Sequence, residues 1–205
     1  MIVKDIVELK PPRFSRKRFD NGLDEVRKSI EGASAERLIA WYQAYGRETD
    51  KSVSKAVNAV IMANLEERGW ERDWSFCPSV SSNHSTFEAT KEFPIGAGVR
   101  FALDVGSRHS NEALGYLVKG QLGAKSRGTE LLSVDAHVLL TYTDECLKWG
   151  GWHSSVYPHH KLLENLPLVR HMVDVPVWVF AIDAPKNLKI GRTLAGTLKL
   201  EKLDS

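Results

Sequence analysis

Cysteine is nearly absent: Cys77 and Cys146 are the only two in 205 residues. They have no zinc-ligand spacing and are too few for a disulfide framework, which excludes a disulfide-stapled scaffold and predicts a reduced, cytoplasmic setting. Long apolar runs are missing too. No stretch of about 20 apolar residues occurs, and the opening MIVKDIVELK is broken by Lys4 and Asp5, so neither a signal peptide nor a membrane span is expected. Nor is there an excess of one charge. Lys and Arg number 28 against 26 Asp and Glu, a formal net charge of +2. That balance excludes a histone-like binder, and any nucleic-acid role must rest on a local basic surface. Repeats and low-complexity segments are absent as well.

What is there suits one domain over 1–205, since a chain of this length with 42% hydrophobic content can bury a sizeable core. Pro11 and Pro12 break the chain before a basic run of Arg13, Arg16, Lys17 and Arg18. Residues 1–70 then read as mainly helical. Leu23, Val26 and Ile30 form one amphipathic stripe after Asp20 or Asn21. A second helix is expected from Ser34 to Gly46 and a third from about Ser52 to Arg68, stopped by Gly69. The period then changes to that of strands. Thr86–Phe93 and Val99–Arg108 flank the turn-rich Pro94–Gly98 and predict a hairpin. In its second strand Phe101, Leu103 and Val105 share one face, and Arg100, Ala102, Asp104 and Gly106 the other. A helix capped by Ser110 follows, weakened by Gly115, Gly120 and Gly123, which implies close packing on a sheet or approach to a ligand. Leu132–Tyr142 and Pro176–Ala184 read as further strands, the latter covered on both faces. The fold class is therefore α/β, a central mixed sheet flanked by helices with an N-terminal helical region, and its last hairpin strand is joined to the next by a parallel crossover.

The hairpin carries the chemistry. Glu92 closes its first strand and Asp104 stands inside its second. Carboxylates on adjacent antiparallel strands can point into one cleft, where Mg²⁺ would cancel their repulsion, orient a water and stabilise charge on a phosphate. Glu88, on the same strand as Glu92, is a candidate third oxygen ligand. The bland alternative is a pair of acids on an exposed strand face. Downstream, Ser107, Arg108, His109, Asn111, Lys119, Lys125 and Arg127 form the second polar and basic group.

Glu92-Phe93 followed by Val99-Arg100-Phe101-Ala102-Leu103-Asp104-Val105-Gly106 resembles the BglII/BstYI group of type II restriction endonucleases, within the PD-(D/E)xK nuclease superfamily. That group carries an Asp and an aromatic residue, a turn, and an apolar-Glu-Val-Gln strand. Leu65-Glu66-Glu67-Arg68-Gly69-Trp70 before the hairpin and Ile182-Asp183-Ala184-Pro185 at the close resemble further family segments, so the likeness covers roughly 51–185. It implies a restriction-endonuclease-like core over 85–185 and a Mg²⁺-dependent endonuclease acting on double-stranded DNA as a homodimer. Glu92 and Asp104 would be the metal ligands, Glu88 and Lys119 accessory catalytic groups. Ser107, Arg108, His109, Asn111, Lys125 and Arg127 would contact DNA.

This chain departs from the family at three points. The two acids are exchanged, eleven residues separate them, and Gly106 stands where Gln or Lys is expected. Lys119, on the following helix, is the natural replacement cation, or Glu88 a replacement ligand. The alternative implied by Gly106 is a nuclease-fold protein that binds DNA, modified DNA included, or a partner subunit, without cutting. His153, His159 and His160 fit no zinc module and are expected on a surface loop. Trp149, Trp152 and Tyr157 are expected at a core edge rather than stacked on a base.

Overall fold

The computed structural model describes residues 1–9, 17–47, 49–76, 86–94, 98–106, 113–125, 133–153, 156–169, 171, 173–193 and 197–203. Three helices open the chain after strand β1 (Ile2–Glu8): α1 (Lys17–Glu31), α2 (Ala35–Tyr45) and α3 (Ser54–Glu66). For α2 the boundaries follow from its caps. The Ser34 hydroxyl accepts a hydrogen bond from the Arg37 N–H, satisfying one of the free donors of the first turn, and Gly46 donates back to the Tyr42 carbonyl. Helix α1 begins before the Asp20–Asn21 cap that its stripe predicts, at Lys17, which brings Phe19 into the core.

The hairpin forms as predicted from β3 (Thr86–Phe93) and β4 (Val99–Val105), with β2 (Glu71–Ser75) added antiparallel on its outer side. The crossover is also present. Helix α4 (Ala113–Lys125) connects β4 to β5 (Ala136–Tyr142), which pairs with it in parallel from Phe101↔Ala136 to Val105↔Leu140. Strand β6 (Val177–Asp183) continues the parallel set, preceded by α5 (Asp144–Gly150) and α6 (His159–Val169). The resulting six-stranded sheet has the order β1-β6-β5-β4-β3-β2. Strand β1 closes one side antiparallel to β6, and β7 (Leu188–Arg192) with β8 (Leu198–Lys202) forms a separate ribbon.

Both sheet faces are covered. Phe101, Leu103, Val105, Val138, Leu140, Trp178 and Phe180 pack against α1, α2 and α3, while Leu139, Val177 and Val179 pack against Leu117 of α4 and Leu162 and Leu166 of α6. Leu163 and Tyr157 support the second layer. At the expected core edge, the Trp149 indole donates to the Leu188 carbonyl and Trp152 lies on Tyr142. The histidine expectation needs correction. His159 is buried in the first turn of α6, its Nδ1 bonded to the Thr141 hydroxyl, because Thr141 points to the α6 side of the sheet. His160 is exposed and ion-paired with Asp144. Cys146 is buried; Cys77 and Ser110 lie outside the described residues.

Candidate functional site

Alternation along β4 sends Phe101, Leu103 and Val105 to the α1–α3 face and Asp104 to the α4 face, as read from the sequence. There Asp104 has no exposed surface. The α4 helix delivers Lys119, whose Nζ lies 2.5 Å from Asp104 Oδ1 and also donates to the Thr86 carbonyl at 2.9 Å. The same ammonium sits 5.1 Å from the ring centroids of both Phe87 and Tyr116, each face attracting a cation. On the other oxygen, His137 Nε2 lies 3.0 Å from Asp104 Oδ2. A carboxylate oxygen accepts, so Nε2 is the donor of this bond; among the described residues Nδ1 is buried without a hydrogen-bond partner. A buried charge costs heavily unless it is paired and hydrogen-bonded, and here both oxygens are engaged.

Glycine makes this closeness possible. A β-carbon at Gly120 would stand 2.5 Å from His137 Nδ1, and one at Gly123 would stand 3.0 Å from Phe87 Cζ. Gly120 and Gly123 thus pack closely on the sheet, whereas Gly115 is exposed and meets no neighbour.

The structure separates the two acids. Glu92 pairs across the hairpin with Arg100, not with Asp104, and its carboxylate is held by the Arg100 guanidinium at 2.6 Å. Arg100 lies four residues before Asp104 on β4, about 13 Å at strand rise. The Glu92 side chain is 56% exposed while that of Asp104 is 0% exposed, so the pair as placed does not share a cation. The long turn, with Phe93↔Val99 as its closing pair, sets this register. Glu88 lies on β3 between Phe87, which packs with Ala102, and Ala89, which lies in the core against the helical layer. It is half-buried, and its charge helps to raise the pKa of the Tyr142 hydroxyl, after the larger effect of burial. That hydroxyl is on the α3 side, donating to Asn58 at 2.5 Å.

Gly106 donates its N–H to the Leu140 carbonyl at 2.7 Å, and a β-carbon there would lie 3.2 Å from that carbonyl oxygen. Lys119 reaches the Asp104 carboxylate. His137 is the member that the residue patterns did not single out. Its signal is a lone polar side chain inside Ala136-His137-Val138-Leu139-Leu140, a run otherwise apolar on both faces. Ser107, Arg108, His109, Asn111 and Arg127 lie outside the described residues, as does the side chain of Lys125. Among the described residues, no three His, Cys, Asp or Glu side chains converge as a metal site. No described helix is long and apolar enough to cross a membrane.

No family model matches the sequence, and no curated protein matches it. Solved structures do. Restriction endonuclease BglII complexed with a DNA 16-mer superposes with a TM-score of 0.60 at 12% identity, covering 96% of this chain and 87% of that one. Free BglII gives 0.50 at 13% identity, covering 98% and 91%. The shared elements include the mixed sheet with helices on both faces, and at this identity the likeness carries the fold alone. The chain has a restriction-endonuclease-like fold.

Proposed function

We propose that this chain is a double-stranded-DNA-binding protein of the restriction-endonuclease type. The observation that carries the reading is the Asp104–Lys119 pair. The hairpin strand lacks a Gln or Lys after its acid, and the crossover helix returns a lysine to that same carboxylate. An acid beside a lysine next to the hairpin is suited to phosphodiester chemistry, the ammonium stabilising charge on a phosphate. The solved structure of BglII in complex with a DNA 16-mer supports DNA as the ligand. Arg108, His109, Asn111, Lys125, Arg127 and Ser107 are the proposed phosphate and base contacts. A homodimer would set two such sites on the two strands of a symmetric target.

Mg²⁺ is the cofactor that this reading implies, and the described carboxylates do not fit it as they stand. Asp104 is closed by Lys119 and His137, and Glu92 by Arg100. The closed arrangement favours binding without cutting while Lys119 holds Asp104. Cutting is the second reading, favoured by the lysine's return to the acid, with Asp104, Glu92, Glu88 and Lys119 as its proposed catalytic groups and Mg²⁺ on Glu92 and Asp104.

One experiment separates the readings: purified protein on unmodified and methylated duplexes, with Mg²⁺ or Mn²⁺, followed for cleavage and for salt-dependent retention. Cleavage lost in Asp104→Ala supports the second reading. Binding that weakens with salt, without cleavage, supports the first. Absence of salt-sensitive binding overturns both.

A further inference from the structure

We infer that Lys119 is a built-in counter-cation for Asp104, so that the DNA-free protein takes up no divalent metal on that carboxylate. The inference concerns the site of the DNA-binding reading and rests on it for the role of the site, but its test uses no DNA. Failure here therefore leaves that reading standing.

The geometry argues for occupation, not for mere proximity. A divalent metal would need at least one carboxylate oxygen of Asp104 open to it, together with further oxygen donors and retained waters. Oδ1 holds the ammonium at 2.5 Å and Oδ2 the imidazole at 3.0 Å. The side chains of Asp104 and His137 have no exposed surface, and that of Lys119 has 8%. The ammonium is itself well satisfied, by Oδ1, by the Thr86 carbonyl and by the ring faces of Phe87 and Tyr116. Displacing it would leave a buried cation without its counter-charge and would unseat α4, which Gly120 brings against His137. A second positive ion on Oδ1 would also meet Lys119 directly. Lys119 thus does inside the fold what a bound cation would do from outside.

The test is Mn²⁺ titration of the full chain followed by electron paramagnetic resonance of the free ion. Weak binding at surface acids is common to every variant, so the comparison is between wild type and Asp104→Asn. Superimposable curves are expected; one additional Mn²⁺ bound by wild type overturns the inference. Where Asp104→Asn does not fold, the apolar double variant Asp104→Leu/Lys119→Leu serves as the reference, with the same two outcomes.

Thermal unfolding adds a metal-free measure. Each single replacement, Asp104→Leu or Lys119→Leu, should lower Tm by about 10 °C, because it strands the other charge. The double variant should lose clearly less than the sum of the two. Additive losses would mean that the two side chains do not hold each other, and would also overturn the inference.

Discussion

At Gly106 the obstacle to a side chain is a backbone oxygen, which cannot swing aside as a flexible side chain would. The 3.2 Å approach to the Leu140 carbonyl is tighter than ordinary van der Waals contact. Gly106→Gln should therefore cost stability, by roughly 1–2 kcal/mol, read as a shift in the urea midpoint at unchanged slope, and it should not by itself create a nuclease. Cys146 makes a second prediction for a single residue. Burial pushes its thiol well above the usual range, with the negative charge of Asp183 adding to it. Because only the thiolate reacts, alkylation mapped by peptide mass spectrometry should leave Cys146 unmodified in the folded protein and label it on unfolding. Asp104 could be placed on its face from alternation alone, since Phe101, Leu103 and Val105 announce which side is core. Its pairing with His137 could not, because contact between β4 and β5 depends on the parallel register, which no local pattern specifies.

Between elements, a polar contact adds to the apolar packing of the hairpin on the helical layer. Lys91 of β3 donates to both carboxylate oxygens of Glu25 on α1, at 3.0 and 2.9 Å, and the Trp70 indole donates to the same group at 2.9 Å. Glu25→Ala removes the counter-charge of a half-buried ammonium, which keeps only the Arg68 carbonyl, and the acceptor of the indole N–H, so a loss of about 1–3 kcal/mol is expected in chemical denaturation. Lys91→Met/Glu25→Leu should recover part of it. Helix α2 was readable because its boundaries are local: Ser34 and Gly46 lie at its two ends and use their own chemistry. Strand β1 was not. Its alternation is interrupted by a register shift between Val3 and Asp5, its centre carries Lys4 and Asp5, and its partner β6 lies far along the chain. Helix α6 was missed for a related reason, since it contains Pro167 and His159, and its inward face is defined only by the strands beneath it.

Across the whole molecule, acid should be more damaging than alkali near neutrality. Burial lowers the His159 pKa below its usual 6.5, opposed in part by the charge of Asp5 and reinforced by His160. A base with a lowered folded pKa binds its proton more readily when unfolded. Its contribution to stability is therefore complete above about pH 6.5 and is lost as pH falls toward the folded value. Wild type should lose more of its urea midpoint between pH 7.5 and 5.5 than His159→Gln does, and equal losses would remove His159 from the account.

Gly120 sets the spacing of charges while carrying none. Its missing side chain acts as a spacer of zero thickness between α4 and β5. A wedge placed there, as in Gly120→Val, would pry the helix away from His137 while leaving Asp104, Lys119 and His137 chemically intact. The dielectric around the carboxylate would then be adjustable in steps of side-chain size, alanine before valine, with water admitted as the gap grows. The lever on this site's electrostatics is thus a neutral position on the helix that carries the lysine.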